Sequence, residues 1–279
     1  MSRIPITDNH LHLSPKGLGV EAMRLFERVG GTHAIVVSLP SWMMDVDVKS
    51  PHDFRKVWEP TLKLVEETNK DTGVRAYAVL GVHPAELLPL AERMGLDNAK
   101  SLMWDALGLA ARCAEEELSI GIKSGRPHWQ VSDEVWGASC SLMQHAMELA
   151  VEVGCAVQLH TEEGTEECLE GIGAMAKRAG LPAHRVIKHY ASPTLELFRT
   201  AGVFPSVLCS KGAVESALEQ GSDFVMETDY VDDPARPGAV LGPRTVPRRT
   251  LSLFEGHEEL FWKVHVENIE RAYGIEVEV

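Results

Sequence analysis

Ile4-Pro5-Ile6-Thr7-Asp8-Asn9-His10-Leu11-His12 opens the chain with a short apolar run that turns into a stretch dense in metal-binding side chains. In parallel-stranded barrels the catalytic groups gather at the C-terminal ends of the strands, so an apolar strand ending in imidazoles suits the first strand of such a barrel. His10 and His12 are two residues apart, which places both rings on one side of an extended chain. Two neutral nitrogens can then converge on one point, as zinc and similar divalent metals require. An isolated H-x-H fits two hydrogen-bonded structural histidines equally well, so its meaning depends on what the other strands carry.

Working outward, apolar runs recur around Ile4 to Thr7, His33 to Leu39, Val74 to Leu80, Ser119 to Lys123, Cys155 to His160, Arg185 to His189, Gly202 to Leu208 and Asp223 to Thr228. Between them lie helical patterns. In Asp53 to Lys70, for example, Phe54, Val57, Trp58, Leu62 and Val65 recur at threes and fours. Others span about Val20 to Val29, Asn98 to Glu117, Asp133 to Val153, Glu166 to Ala179, Thr194 to Ala201 and Ala213 to Gln220, with a closing helix from His257 to Tyr273. Gly30, Gly154, Gly180, Gly202, Gly221 and Gly274 follow these helices, where a left-handed cap favours a residue without a Cβ. Eight strand-helix units with nearly continuous apolar strands predict a (β/α)₈ TIM barrel of the α/β class, one domain across 1–279. The competing doubly wound sheet lacks its glycine-rich turn after the first strand.

The bulk numbers agree. At 279 residues the chain is ordinary for an α/β barrel, which needs about 250. Hydrophobic residues make up 44% and charged residues 24%, so a large core is available. A net charge of −14 disfavours nonspecific binding to nucleic acid. There is no signal-peptide pattern and no run of about 18 apolar residues, so the expectation is a cytoplasmic protein with no membrane association. The scattered Cys113, Cys140, Cys155, Cys168 and Cys209 suggest reduced thiols rather than a disulfide framework or a zinc knuckle.

The remaining strand ends change the weight of the opening motif. Strand three ends in Gly81-Val82-His83-Pro84, strand four in Lys123, strand five in His160, strand six in His189, and strand eight in Glu227-Thr228-Asp229. One histidine ending an apolar strand is usually structural, but four imidazoles and a carboxylate on separate strand ends are what a one- or two-metal hydrolytic centre needs. The metal lowers the pKa of water toward about 7, and the carboxylate takes the proton. Lys123, in Ile120-Gly121-Ile122-Lys123, is the unusual member, because a plain ammonium is repelled by a dication. Three readings stay open: it points away, it serves a substrate anion, or its amine has taken up carbon dioxide to form a carbamate that bridges two metals about 3.5–4 Å apart.

These residues resemble the amidohydrolase superfamily, and within it the chain is similar to TatD-like metal-dependent hydrolases over nearly its whole length. The matching motifs are Asp8-Asn9-His10-Leu11-His12, Gly81-Val82-His83-Pro84, Leu159-His160, Lys188-His189, Glu227-Thr228-Asp229 and Asn268-Ile269-Glu270-Arg271-Ala272-Tyr273. The resemblance implies that His10, His12, His160, His189 and Asp229 are metal ligands, that Asp229 is also the proton acceptor, and that His83 lies near the substrate. It implies one or two divalent ions, zinc first, with manganese, nickel, iron or cobalt compatible with the same donors. TatD-like enzymes usually present a bridging glutamate at strand four; here Ile122-Lys123 stands instead. That pair resembles phosphotriesterase-like members, whose bridging ligand is a carboxylated lysine.

Two loops offer anion contacts: Arg126-Pro127-His128-Trp129 after strand four, and the proline-rich stretch Asp232 to Arg249 with Arg244, Arg248 and Arg249. Arginine suits phosphate because its fork binds two oxygens, although solvated arginines offsetting nearby acids fit as well. Arg126, His128 and Arg244 are therefore the substrate-binding candidates. The first expectation is a TatD-like hydrolase of phosphoester bonds, DNA among them, acting on a phosphoester or small-molecule substrate. The alternative is a phosphotriesterase-like lactonase or amidohydrolase with carboxylated Lys123, and a third reading is a noncatalytic metal-binding barrel.

Overall fold

The computed structural model describes residues 4–278. Strands β1 (Thr7–His12), β2 (His33–Val37), β3 (Arg75–Gly81), β4 (Gly121–Gly125), β5 (Ala156–His160), β6 (Val186–Ala191), β7 (Phe204–Leu208) and β8 (Val225–Glu227) run parallel, each paired with the next. A two-residue strand β9 (Tyr230–Val231) then pairs with β1. Among the described residues this is one nine-stranded sheet in the order β8-β7-β6-β5-β4-β3-β2-β1-β9. Because only Thr228 and Asp229 separate β8 from β9, the eighth strand is one strand broken in two, and the break closes the barrel. The expected (β/α)₈ architecture is the one observed.

The helices are α1 (Val20–Glu27), α2 (Asp53–Asp71), α3 (Leu87–Met94), α4 (Leu96–Glu115), α5 (Asp133–Val153), α6 (Glu166–Ala179), α7 (Leu195–Ala201), α8 (Ala213–Leu218), α9 (Thr245–Leu253), α10 (Glu258–Trp262) and α11 (Asn268–Tyr273). The strands are buried on both faces, which is why their sequences read as continuous apolar runs. Two glycines are required by close approach. A Cβ on Gly81 would lie 2.0 Å from the Lys123 carbonyl oxygen, and one on Gly125 would lie 1.8 Å from that of His160. Both sit where adjacent strands deliver site residues.

The structure corrects several boundaries. The first strand is the motif itself, Thr7–His12, rather than the apolar run before it. Helices α3 and α9 fall where no helix was expected, and α9 begins inside the proline-rich stretch read as a loop. The closing helix contains a π turn over Lys263–Glu267. Val264, His265 and Val266 are all buried there. Thr7 Oγ1 donates to the His265 carbonyl and Thr7 N to His265 Nδ1, so this turn clasps the start of β1.

Candidate metal centre

The side chains of β1 define the floor of the site. Its pairing with β2 slips by one residue between Asp8 and Leu11, a bulge that lets neighbouring side chains both reach the barrel interior. Asn9 meets Ser206 and Tyr273, while His10 Nδ1 lies 2.6 Å from Gln158 Oε1. His12 Nδ1 lies 2.7 Å from the Val37 carbonyl. A carbonyl or amide oxygen can only accept, so both Nδ1 atoms carry their protons and both Nε2 atoms are free to bind metal. Those two Nε2 atoms are 3.2 Å apart, with Asp229 Oδ1 3.9 Å from the first and 3.8 Å from the second. Asp229 is aimed by strain: its φ is +46°, its N–H donates to the His10 carbonyl, and the preceding Thr228 donates from N and Oγ1 to Asp8.

A second convergence lies beside the first. His189 stacks on His10 with centroids 4.0 Å apart, and its Nε2 is 3.0 Å from His160 Nδ1. His189 Nδ1 faces Glu227 Oε1 at 3.2 Å. Glu227 also takes hydrogen bonds from Tyr190 N and Ser206 Oγ, so it supports His189 and braces the backbone at Tyr190. The β6 ladder slips between Lys188 and Ala191, with Tyr190 at φ +57°. Each of the three strands that bring the inner ligand candidates therefore carries a backbone irregularity.

Lys123 is buried, with Nζ 3.5 Å from the Ser38 carbonyl. Its charge lowers the basicity of His10, His12, His83, His160 and His189, which makes it the cation common to all five rings. Burial is the larger cause in each case and holds the rings neutral, with His12 pushed down to about 3. Neutral imidazole is the form that binds metal. Burial also brings the Lys123 amine down to about 8 against the pull of Asp229 and Glu227. Burial raises the Asp229 carboxyl to about 6, and the Lys123 ammonium opposes that rise. His10, His12 and Asp229 form a buried donor group that fits a divalent ion, His10, His189 and Glu227 form another, and His160 Nδ1 lies 3.0 Å from His189 Nε2.

The rim is built from loops. The His83 ring sits 4.5 Å from that of His160, and its Nδ1 also accepts from Ala85 N, capping the turn at Pro84–Glu86. His128 Nδ1 is 2.9 Å from His160 Nε2. The structure thus brings together His10, His12, Lys123, His160, His189, Asp229, His83 and His128. Two substrate-binding candidates are corrected. Arg126 is 5% exposed, donates Nε and Nη2 to the two oxygens of Glu162, and lies over the Trp136 ring, so its fork is already filled. Arg244 is exposed at the start of α9 and does not line the cavity. Gln158, Asn9 and Tyr273 were missed as supports. A glutamine inside the apolar run Ala156-Val157-Gln158-Leu159 was the available signal, since a buried polar group needs partners.

The sequence pattern of the TatD related DNase family matches residues 7–274. The chain belongs to this family. An uncharacterized protein of Methanocaldococcus jannaschii is 40% identical to it, over 100% of this chain and 99% of that protein. Among solved structures it is similar to the organophosphorus hydrolase from Deinococcus radiodurans, with TM-score 0.65 and 15% identity over 98% of this chain and 93% of that one. It is also similar to a phosphotriesterase homology protein from Escherichia coli complexed with phosphate, with TM-score 0.60 and 12% identity over 98% and 100% of the two chains. At such identities these two likenesses speak for the barrel alone. Family and donor set together support a metal-dependent hydrolase, and among the described residues no helix is long and apolar enough to cross a membrane.

Proposed function

We propose that this TatD family member hydrolyses small esters, uncharged or singly charged, at a pair of divalent ions bridged by N-carboxylated Lys123. His10, His12 and Asp229 would hold one ion and His160 and His189 the other. The observation that carries the reading is Lys123 itself, buried with its charge felt by both groups of imidazoles, where an ammonium would repel any dication. Addition of its unprotonated amine to dissolved carbon dioxide forms the N–C bond, releases one proton and converts the residue into an anion with two donor oxygens.

A bound metal pair would polarise the ester and lower the pKa of water toward about 7. Asp229 is the group placed to take the proton, because its carboxylate borders the cavity beside the two β1 imidazoles. Gln158, Val37 and Glu227 keep His10, His12 and His189 in the tautomers such work requires. His128 lines the cavity and is the rim imidazole proposed to meet an ester oxygen. The charge limit on the substrate rests on the walls: Arg126 is neutralised, Arg244 lies elsewhere, Lys188 is buried with its ammonium on the His189 carbonyl, and Glu163 faces the cavity.

The test is enzyme loaded with zinc or manganese in bicarbonate-containing buffer, assayed on lactones, aryl esters and phosphoesters. Two metals per chain, a carbamate resonance with ¹³C-bicarbonate, and loss of both in Lys123→Ala are expected. One metal with no carbamate signal would sink the lysine bridge. The family match favours a second reading, a nuclease, and metal-dependent cleavage of DNA exceeding ester turnover would establish it over the first.

A further inference from the structure

Three exposed aromatic rings stand around the site on three separate C-terminal strand ends. Trp42 follows β2, Trp129 follows β4, and Tyr190 lies at the end of β6; their exposures are 49%, 37% and 52%. Each meets a different site histidine edge-on: Trp42 with His83 at 78° and 6.0 Å, Trp129 with His128 at 88° and 4.9 Å, Tyr190 with His189 at 76° and 6.0 Å. Large aromatics left in water forgo burial, and exposed apolar surface beside a site is where a ligand gains by covering it. Tyr190 also holds a left-handed backbone that a non-glycine residue rarely adopts, fixed by its N–H to Glu227 Oε1 at 2.6 Å. Tyr190 lines the cavity of about 630 Å³, which continues along Ala191, Pro193, Leu208 and Ala213, while Trp42 and Trp129 stand outside that lining, against His83 and His128.

We infer that Trp42, Trp129 and Tyr190 form a collar for an apolar, uncharged arm of the substrate, an alkyl or aryl group next to the ester. This inference rests on the ester-hydrolase reading and names its substrate class. An uncharged arm suits the collar because no arginine lines the cavity for an anion, its one lysine, Lys188, is buried with Nζ donating to the His189 carbonyl, and the carboxylate of Glu163 in the lining is exposed to water.

The test uses γ-lactones lengthened one methylene at a time, with the matching γ-lactams as non-hydrolysable probes in calorimetry. Each added methylene is expected to raise kcat/KM and tighten lactam binding about two- to fourfold in the wild type. The trend should flatten in Trp42→Ala/Trp129→Ala and return in Trp42→Phe/Trp129→Phe. Lactam binding that tightens with length while no lactone is turned over keeps the collar and brings down the ester reading. Turnover that ignores chain length in the wild type, or an unchanged slope in the double alanine variant, overturns the collar. Tighter binding of a tetraalkylammonium ion or of a single-stranded oligonucleotide than of any lactam overturns it as well.

Discussion

The inner and outer halves of the site are held by different means. In the inner half, His10, His12 and His189 each have Nδ1 tied to an oxygen from another strand or its end: Gln158, the Val37 carbonyl and Glu227. In the outer half, His83 and His128, on the loops after β3 and β4, rest against the His160 ring at the end of β5 and against exposed aromatic rings. A nitrogen oriented by a buried strand is fixed before any ligand arrives, whereas a loop imidazole is free to follow the substrate. The barrel thus separates a pre-set metal floor from an adaptable rim.

Removing an inner ligand candidate should break this contrast most severely. His12→Ala is expected to lose metal in elemental analysis and to lower kcat/KM by about 10³-fold or more, since the centre is asked to supply several kcal/mol. His128→Ala, on the rim, should keep its metal and lose far less. Equal metal loss in the two would erase the distinction between floor and rim.

Arg126→Ala should cost about 3 kcal/mol in denaturant unfolding, the low end for breaking a buried ion pair because Glu162 is partly exposed. The preference for uncharged over anionic esters should stay unchanged, and a shift in it would restore Arg126 as a substrate ligand. The inner hydrogen bonds can be graded more finely. Gln158→Leu frees His10 Nδ1 and also removes the bonds to Asn9 O and Tyr273 Oη, so metal affinity measured against a chelator should fall about 10–100-fold.

The smallest effect concerns the clasp beneath β1. His265 is fully buried and held neutral, its pKa pushed down to about 3 by burial. Once unfolded it protonates near 6.5, so between pH 6.5 and 3 only the unfolded chain gains this proton and stability falls as the pH falls. The slope from this group is about 1.4 kcal/mol per pH unit at most. Unfolding midpoints from pH 7 to 4 should therefore fall less steeply in His265→Gln.

Much of this was legible in the chain. The period of apolar runs is set by strand and helix geometry, so eight units and their order could be read directly, and Glu166–Ala179 was bounded to the residue. His10, His12, His160, His189, Asp229 and Lys123 could be found because polar residues ending apolar strands stand out. Arg126 and Arg244 misled because charge in a loop says nothing about its partner: Glu162 lies 36 residues along the chain from Arg126. Trp42 and Tyr190 gave no signal, since an aromatic residue in sequence looks the same buried or exposed.

By itself, then, the sequence determined the barrel and the donor atoms available to a metal, because periodicity and residue chemistry are local properties. The tertiary structure decided where those donors point. The slip in β1, the slip in β6 with Tyr190 at φ +57°, and the break at Thr228-Asp229 are imposed by neighbouring strands and by Asp8 and Glu227, which lie far from the residues they hold. Bulges of this kind leave no mark on hydrophobic periodicity, yet they aim the side chains that make the site.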